Sequence, residues 1–456
     1  MLIFWASAAG IIAVFLALGA LGAKNVGSTS EYSLAGKRAS AFLVAGIFMG
    51  SLVGGPATIG SVQMAYEWGL SAFWLNFGGG LGCLLMGICL AKPLQRSGLS
   101  TIPEYLYYSY GHSVSILSLI SITCGTFFSV VAQFLAGIAL FRSLLPLSAH
   151  EAAALVGFLI LGFIFFGGIR SYSAIGTAKT FLLYLVMLSC LVLVWRKGHS
   201  VPVLLRDLPF EPFLNPLAGG VSTNLSALIS MIVGMVCTQI FVQGIFSASS
   251  VESARKGVLA ASFVLPTMGF ISVIIGLSLR HSGIVIEGSQ ALPYIIKDLF
   301  NPVIGGVFWA GILVAIVCTA AGLILGISTN IVSDLTVRIF PDLEEGTLLF
   351  LSRFTVFALI CLSAIVSAKS SGSLILKWTY LGMGLRAAAT FFPFIFAIVF
   401  PGRLPRTWGV ASSAGGFFTL LAVSVFRIPL DPVLAAIGIS GVLAFAGFTK
   451  TMYYTK

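Results

Sequence analysis

The sequence predicts an all-α protein that crosses a membrane about 13 times. Hydrophobic residues fill 58% of its 456 positions and charged residues only 9%, against about 25% charged in a soluble domain. Apolar runs long enough to span a bilayer recur from one end of the chain to the other. The second run carries a further signal. In AGIFMGSLVGGPATIGSVQMAYEWG (45–69), Gly50-Ser51 and then Gly54-Gly55-Pro56 interrupt an otherwise helical stretch. Glycine weakens a helix and proline removes a backbone donor, so the hydrogen-bond ladder should open there. In lipid, opened backbone survives only where protein or a water-lined cavity meets its polar groups. A helix broken at mid-membrane is how secondary transporters build a site for a solute and an ion.

The runs fall near 2–22, 40–66, 69–93, 112–143, 148–167, 174–195, 222–247, 256–279, 303–333, 346–367, 372–400, 407–426 and 432–449. The first lacks a basic n-region and reads as a retained helix, not a signal peptide. Most connections are short; the longest, 196–218 and 280–302, are too short for separate domains. The chain therefore reads as one transporter domain, 1–456, with an extra N-terminal helix (2–22) and two C-terminal helices (407–449). Between them, 40–195 and 222–400 are candidate inverted repeats. Each opens on an interrupted run, the second holding Gly234, Thr238, Gln239 and Gln243, and matched interruptions point to a binding site between the halves.

The net charge of +11 does not imply nucleic acid here. Basic residues gather in alternate loops (Lys24, Lys37 and Arg38; Lys92 and Arg96; Arg170; Arg255 and Lys256; Arg403 and Arg406; Lys450 and Lys456), as the positive-inside rule requires. The N-terminus is expected outside and the C-terminus in the cytoplasm of a multi-pass plasma-membrane protein, with Arg196, Lys197 and Arg206 basic on the wrong side. The seven cysteines lie in apolar runs with no CxxC pair, so neither disulfides nor zinc is indicated. GxxxxGK[ST], HExxH and GxSxG are absent, which leaves ATP-driven transport and membrane hydrolysis without support.

Six segments, in order, resemble the sodium:solute symporter family. They are YSLAGKR (32–38), ATIGSVQMAYEWGLSAFW (57–74), GLSTIPEYLYYSYG (98–111), FVQG (241–244), SQALPYIIKDL (289–299) and AIVCTAAGLILGISTNIVSDL (315–335). The resemblance runs from about Glu31 to Phe426. It implies a LeuT-like 5+5 inverted repeat with discontinuous first and sixth core helices, and sodium-coupled symport of a small organic solute.

Carried over residue by residue, the family's common sodium site falls on the carbonyls of Gly50, Val53 and Ala315 and the side chains of Cys318 and Thr319. Carbonyls and hydroxyls suit a hard cation, whereas a thiol at Cys318 is a soft, poor ligand. Two departures follow. After the Gly167-Gly168 pair many members carry an aspartate, where this chain has IRSYSAIGTAKTF (169–181) and Lys179. Ala321 and Gly322 lack the hydroxyls of an additional sodium site, so a second sodium is not expected.

Lys179 and Arg386 are cations inside apolar runs. A lysine at the centre of a span costs about 2.5–3.5 kcal/mol on insertion scales. Lys179 either snorkels to the headgroups or places its ammonium at the sodium position, in which case coupling is to protons or absent. Arg386 either pairs with backbone carbonyls at a helix break or offers its fork to a solute carboxylate. Ala57, Asn76, Gln133 and Gln239 complete the candidate solute site, although interhelical bonding explains single buried amides equally well. Gly234 stands where sugar-type members stack an aromatic gate, which favours an organic anion or amino acid over a sugar. Glu67 and Trp68 mark the outer interface. Asp334 and Arg338 read as a cytoplasmic ion pair. A solute sensor without flux is the rival from another class, and no enzymatic activity is expected.

Overall fold

The computed structural model describes residues 1–23, 38–165, 169–332, 340 and 342–454. The expected Asp334–Arg338 pair, the Gly167-Gly168 pair, Lys24 and Lys37 fall outside them. The helices, in order, are α1 (Leu2–Ala23), α2 (Ala41–Leu52), α3 (Ser61–Trp68), α4 (Phe73–Leu85), α5 (His112–Arg142), α6 (Ala149–Phe165), α7 (Ile169–Arg196) and α8 (Val221–Val236). Then come α9 (Gln239–Phe246), α10 (Val251–His281), α11 (Pro302–Thr329), α12 (Glu345–Lys369), α13 (Ile375–Val399), α14 (Arg406–Val425) and α15 (Pro432–Tyr454). Among the described residues, 10 helices are long and apolar enough to cross a membrane, with shorter apolar helices at Leu2–Leu18, Ala41–Leu52 and Ala149–Ile164.

Two crossings are broken, as the glycines and proline require. α2 starts at Ser40, whose hydroxyl accepts from the Leu43 amide (3.4 Å). It continues through Gly50 and Ser51 and ends at Leu52, so the break is shorter than expected and begins at Val53. Gly50 is a helical residue in the last turn, not part of the opened stretch. The chain re-enters a helix through one wide turn at Pro56–Gly60, where the Gly60 amide reaches the Gly55 carbonyl (3.0 Å). α8 and α9 are parted at Cys237 and Thr238, with Thr238 extended (φ −95, ψ 116).

The broken crossings lie against each other. Gly244 of α9 packs on Ile47 and Phe48 of α2, and the Phe48 and Phe241 rings stack at 5.1 Å. The start of the first and the end of the second are stapled by backbone, Ala39 N–H to Ser247 O and Ser249 N–H to Ala39 O, both 2.9 Å. The start of one broken crossing therefore meets the end of the other, and they run in opposite directions. Around them α2 packs on α7, α10 and α11, α13 lies along α5 and α8, and α4 bridges α8 and α10. α11 is the most enclosed helix; from Gly305 to Ser328 nearly every residue is buried. The long connection 280–302 folds a short helix (Ala291–Asp298) whose Ala291, Leu292, Pro293, Ile295 and Ile296 are buried.

Candidate functional site: two helix breaks and two buried cations

At the first break the last carbonyls of α2 have no partner within the helix. Gly50 O accepts from the Thr319 hydroxyl of α11 (3.1 Å). Thr319 in turn accepts from the ammonium of Lys179 on α7 (2.6 Å), which also donates to Ala315 O (3.1 Å). Ala315 and Thr319 are one turn apart, so their carbonyl and hydroxyl face the same side of α11. Lys179, Ala315 and Thr319 are all 0% exposed, which rules out snorkelling to the headgroups. α7 comes this close because Gly176, one turn before Lys179, rests on Gly46 O and Gly50 of α2, where a Cβ would sit 2.3 Å from that oxygen. The Gly50, Ala315 and Thr319 oxygens gathered here are hard donors of the type a sodium ion takes. In this structure a tethered ammonium is bonded to two of them. Val53 lies in the opened stretch. Cys318, beside Thr319, packs in an apolar cluster with Phe15, Ile175 and Val314, so its thiol is committed to packing.

Side chains of the break and of neighbouring helices meet further groups of the opened backbone, as lipid demands. Gly55 N–H donates to Gln133 Oε1 of α5 (2.9 Å), and the Thr58 hydroxyl donates to Gly54 O (2.9 Å). Ala57 O accepts from Ser272 of α10 (3.3 Å). Asn76 donates from Nδ2 to Ser61 (2.8 Å), while its buried Oδ1 finds no partner. Gln239 does not behave as a free ligand: Oε1 accepts from the Ile102 amide (3.1 Å) and Nε2 donates to Ser100 O (3.1 Å). It ties α9 to the turn before the segment Ile102–Tyr110, and Gln63 similarly accepts from the Ile375 amide at the start of α13 (3.2 Å).

At the second break Arg386 of α13 is fully buried. Nη1 donates to the Thr238 hydroxyl (2.6 Å); Nη2 donates to the Ser129 hydroxyl and, at 3.4 Å, to Gly125 O, both on α5. Nε has no partner. Among the described residues, ion pairs join Arg206 to Asp207, Lys256 to Glu252 and His281 to Asp207; neither buried cation is in one. Ser129 and Gly125 escaped the sequence reading. The available signal was their spacing, since Gly125-x3-Ser129 repeats Ala315-x3-Thr319 at the same place in the other half of the chain.

The sodium:solute symporter family matches residues 32–406 of this chain. The chain belongs to that family. It is a membrane symporter for a small solute, not an enzyme. Similar proteins include sodium/proline symporter 2 of Staphylococcus saprophyticus, 23% identical over 97% of this chain and 90% of that one. The high-affinity proline transporter PutP of Bacillus subtilis is 22% identical over 92% and 93%. Among solved structures, a Na+-coupled sialic acid symporter superposes with a TM-score of 0.81 at 15% identity, covering 99% of this chain and 97% of that one. A manganese transporter of Eremococcus coleocola reaches 0.54 at 16% identity, over 93% and 97%. The first likeness establishes the LeuT-like fold with its two discontinuous core helices.

Proposed function

We propose that this symporter moves an amino acid or small organic anion, in preference to a sugar, across the cell membrane by alternating access. The observation that carries the reading is the oxygen cluster of Gly50, Ala315 and Thr319, which joins the broken helix to α11 around a cation. The solute class is supported by relatives named for proline, by Gly234 in place of an aromatic gate, and by Arg386. Ala57, Asn76, Gln133 and Gln239 set the walls of the cavity through their bonds to neighbouring helices, and Arg386 faces the solute. About 13 spans, arranged as a first repeat (40–195) and an inverted second (222–400), would leave the N-terminus outside and the C-terminus in the cytoplasm.

The cation position takes one occupant at a time. In the reading that follows the family, sodium binds at Gly50, Val53, Ala315 and Thr319, with Cys318 at its edge, and the Lys179 ammonium withdraws to admit it. Sodium then drives the cycle through its different affinity for outward and inward states. The hydrogen bonds of Lys179 favour a second reading, in which its ammonium stays in place and transport is proton-coupled or uncoupled. Uptake into proteoliposomes of the purified protein, against a panel of amino acids, short carboxylates and hexoses, separates the two. Loss of uptake on replacing sodium by choline supports the first. Unchanged uptake, or uptake that follows an imposed pH gradient, supports the second. Solute binding without flux would overturn both in favour of a sensor.

A further inference from the structure

At both breaks a threonine relays a buried cation to a glycine carbonyl: Thr319 donates to Gly50 O (3.1 Å) and Thr238 to Gly234 O (2.7 Å). Another group of titratable side chains stands apart from them, in the connection that follows α7. The segment 197–214 folds back over α10 and the end of α3. Apolar contacts hold it there, since Leu204 and Phe213 are buried with Ala65 of α3 and with Val273, Ile274 and Leu277 of α10. Arg280, near the end of α10, lies over both the Tyr66 and Phe213 rings, at 5.4 and 5.2 Å. This packing brings His199, just past α7, against His281, the last residue of α10.

The two imidazoles meet through their Nδ1 atoms at 2.8 Å, with the rings nearly perpendicular at 79°. On the far side of His281, Nε2 faces Asp207 Oδ2 (3.3 Å), at the end of the short helix Val201–Asp207. A carboxylate only accepts, so Nε2 of His281 carries the hydrogen and a neutral His281 turns the lone pair of Nδ1 toward His199. His199 then donates from Nδ1, and one proton fills the gap between the rings. Two nitrogens on adjacent positions of a zinc ion lie about 3.0–3.4 Å apart at the usual bond length, so the rings need part by only about half an ångström for an ion to replace that proton. A histidine held by a carboxylate on its other nitrogen is also the ordinary support of a metal ligand, which it orients and makes more basic. Among the described residues no group of three histidine, cysteine or carboxylate side chains converges on one point, so water completes the shell, and both rings are partly exposed to it. Lys197, two residues before His199, and Arg206, paired with Asp207 at 3.6 Å, oppose any ion held by charge alone. What remains is an ion that bonds to imidazole nitrogen, as zinc, nickel and cobalt do and magnesium does not.

We infer that His199 and His281 form a site for a divalent transition-metal ion, with Asp207 as the carboxylate that orients His281, and that the bound ion ties the segment after α7 to the end of α10. The test titrates zinc, cobalt(II) and magnesium chlorides into the purified, tag-free, full-length protein by calorimetry. Zinc and cobalt should bind saturably at one ion per chain, and magnesium should not bind over the same concentrations. Bound cobalt should lack the near-ultraviolet band of a thiolate ligand, which separates the imidazoles from the exposed Cys89, Cys124 and Cys361. Asp207→Asn should weaken zinc binding roughly ten- to a hundredfold, His199→Gln and His281→Gln should weaken it further, and His150→Gln should leave it unchanged. Absence of saturable zinc binding, equal binding of magnesium, a thiolate band, undiminished affinity in any of the first three variants, or loss of binding in His150→Gln overturns the inference. The comparison of metals and the cobalt spectrum use the wild-type protein and stand even if a variant fails to fold.

Discussion

At the first break a lysine ammonium is bonded to a carbonyl and a hydroxyl of α11; at the second an arginine is bonded to a carbonyl and a hydroxyl of α5. The scaffolds match down to the four-residue spacing and the relay through threonine to a glycine carbonyl. The side chains do not. A point charge on a flexible stem can take the place of a small ion and can also leave. A planar fork stays where its neighbours hold it and offers an unused edge. The contrast teaches that a duplicated fold supplies two equivalent seats for positive charge, and that the residue seated there decides what hydrogen-bonding capacity is left over.

The largest expected effect breaks the lysine side of the comparison. Lys179→Ala uncovers Ala315 O and Thr319 Oγ1, and sodium-free uptake should fall roughly ten- to a hundredfold with the two charged hydrogen bonds. Adding sodium should recover much of it if ion and ammonium share one position. Uptake that is indifferent to the substitution would show that Lys179 is a packing residue. Next come the close approaches that seat the two cations. A Cβ at Gly176 would lie 2.3 Å from Gly46 O, and one at Gly125 would lie 2.4 Å from Gly382 O and 2.6 Å from Arg386 Cγ. Gly176→Ala and Gly125→Ala should each cost about 1–3 kcal/mol, read as lower unfolding temperatures of the purified protein. A matched loss sharpens the equivalence of the halves, and a loss at one site alone breaks it.

The smallest effect lies outside both breaks, where His199 and His281 meet through their Nδ1 atoms (2.8 Å) and His281 contacts Asp207 (3.3 Å). Burial, then the nearby His281 and Lys197, holds His199 below the ordinary histidine range. The folded loop thus favours its neutral form. Its contribution is complete above the ordinary histidine pKa of about 6.5 and is lost as pH falls through the lowered value. Amide protection in 197–208, corrected for the intrinsic base-catalysed exchange rate, should fall as pH drops below about 6.5, and His199→Gln should flatten that response. Neither break should respond in step with it.

Much of the fold was legible because its signals are local. Apolar runs set the spans, and Gly54, Gly55 and Pro56 open the helix whatever surrounds them. Gly50 was misplaced within that break because Met49, Ser51 and Leu52 let α2 continue to Leu52, and α11 supplies the partner of its carbonyl, the Thr319 hydroxyl. The aligned pair Ala315 and Thr319 did meet Gly50. The amides were harder to read: Gln239 and Gln133 were candidates for a solute, and both are bonded to backbone.

By itself the sequence determined a helical membrane symporter of a known family, with two interrupted helices and two cations in places where charge is expensive. Composition and apolar runs suffice for the helical membrane fold, since lipid leaves few alternatives for a backbone, and the resemblance of six segments supplied the family. The tertiary structure decided where those cations point. Lys179 meets Thr319 across 140 positions of chain, and Arg386 meets Thr238 across 148. Such meetings depend on which glycine faces let the helices approach, and no local pattern encodes them.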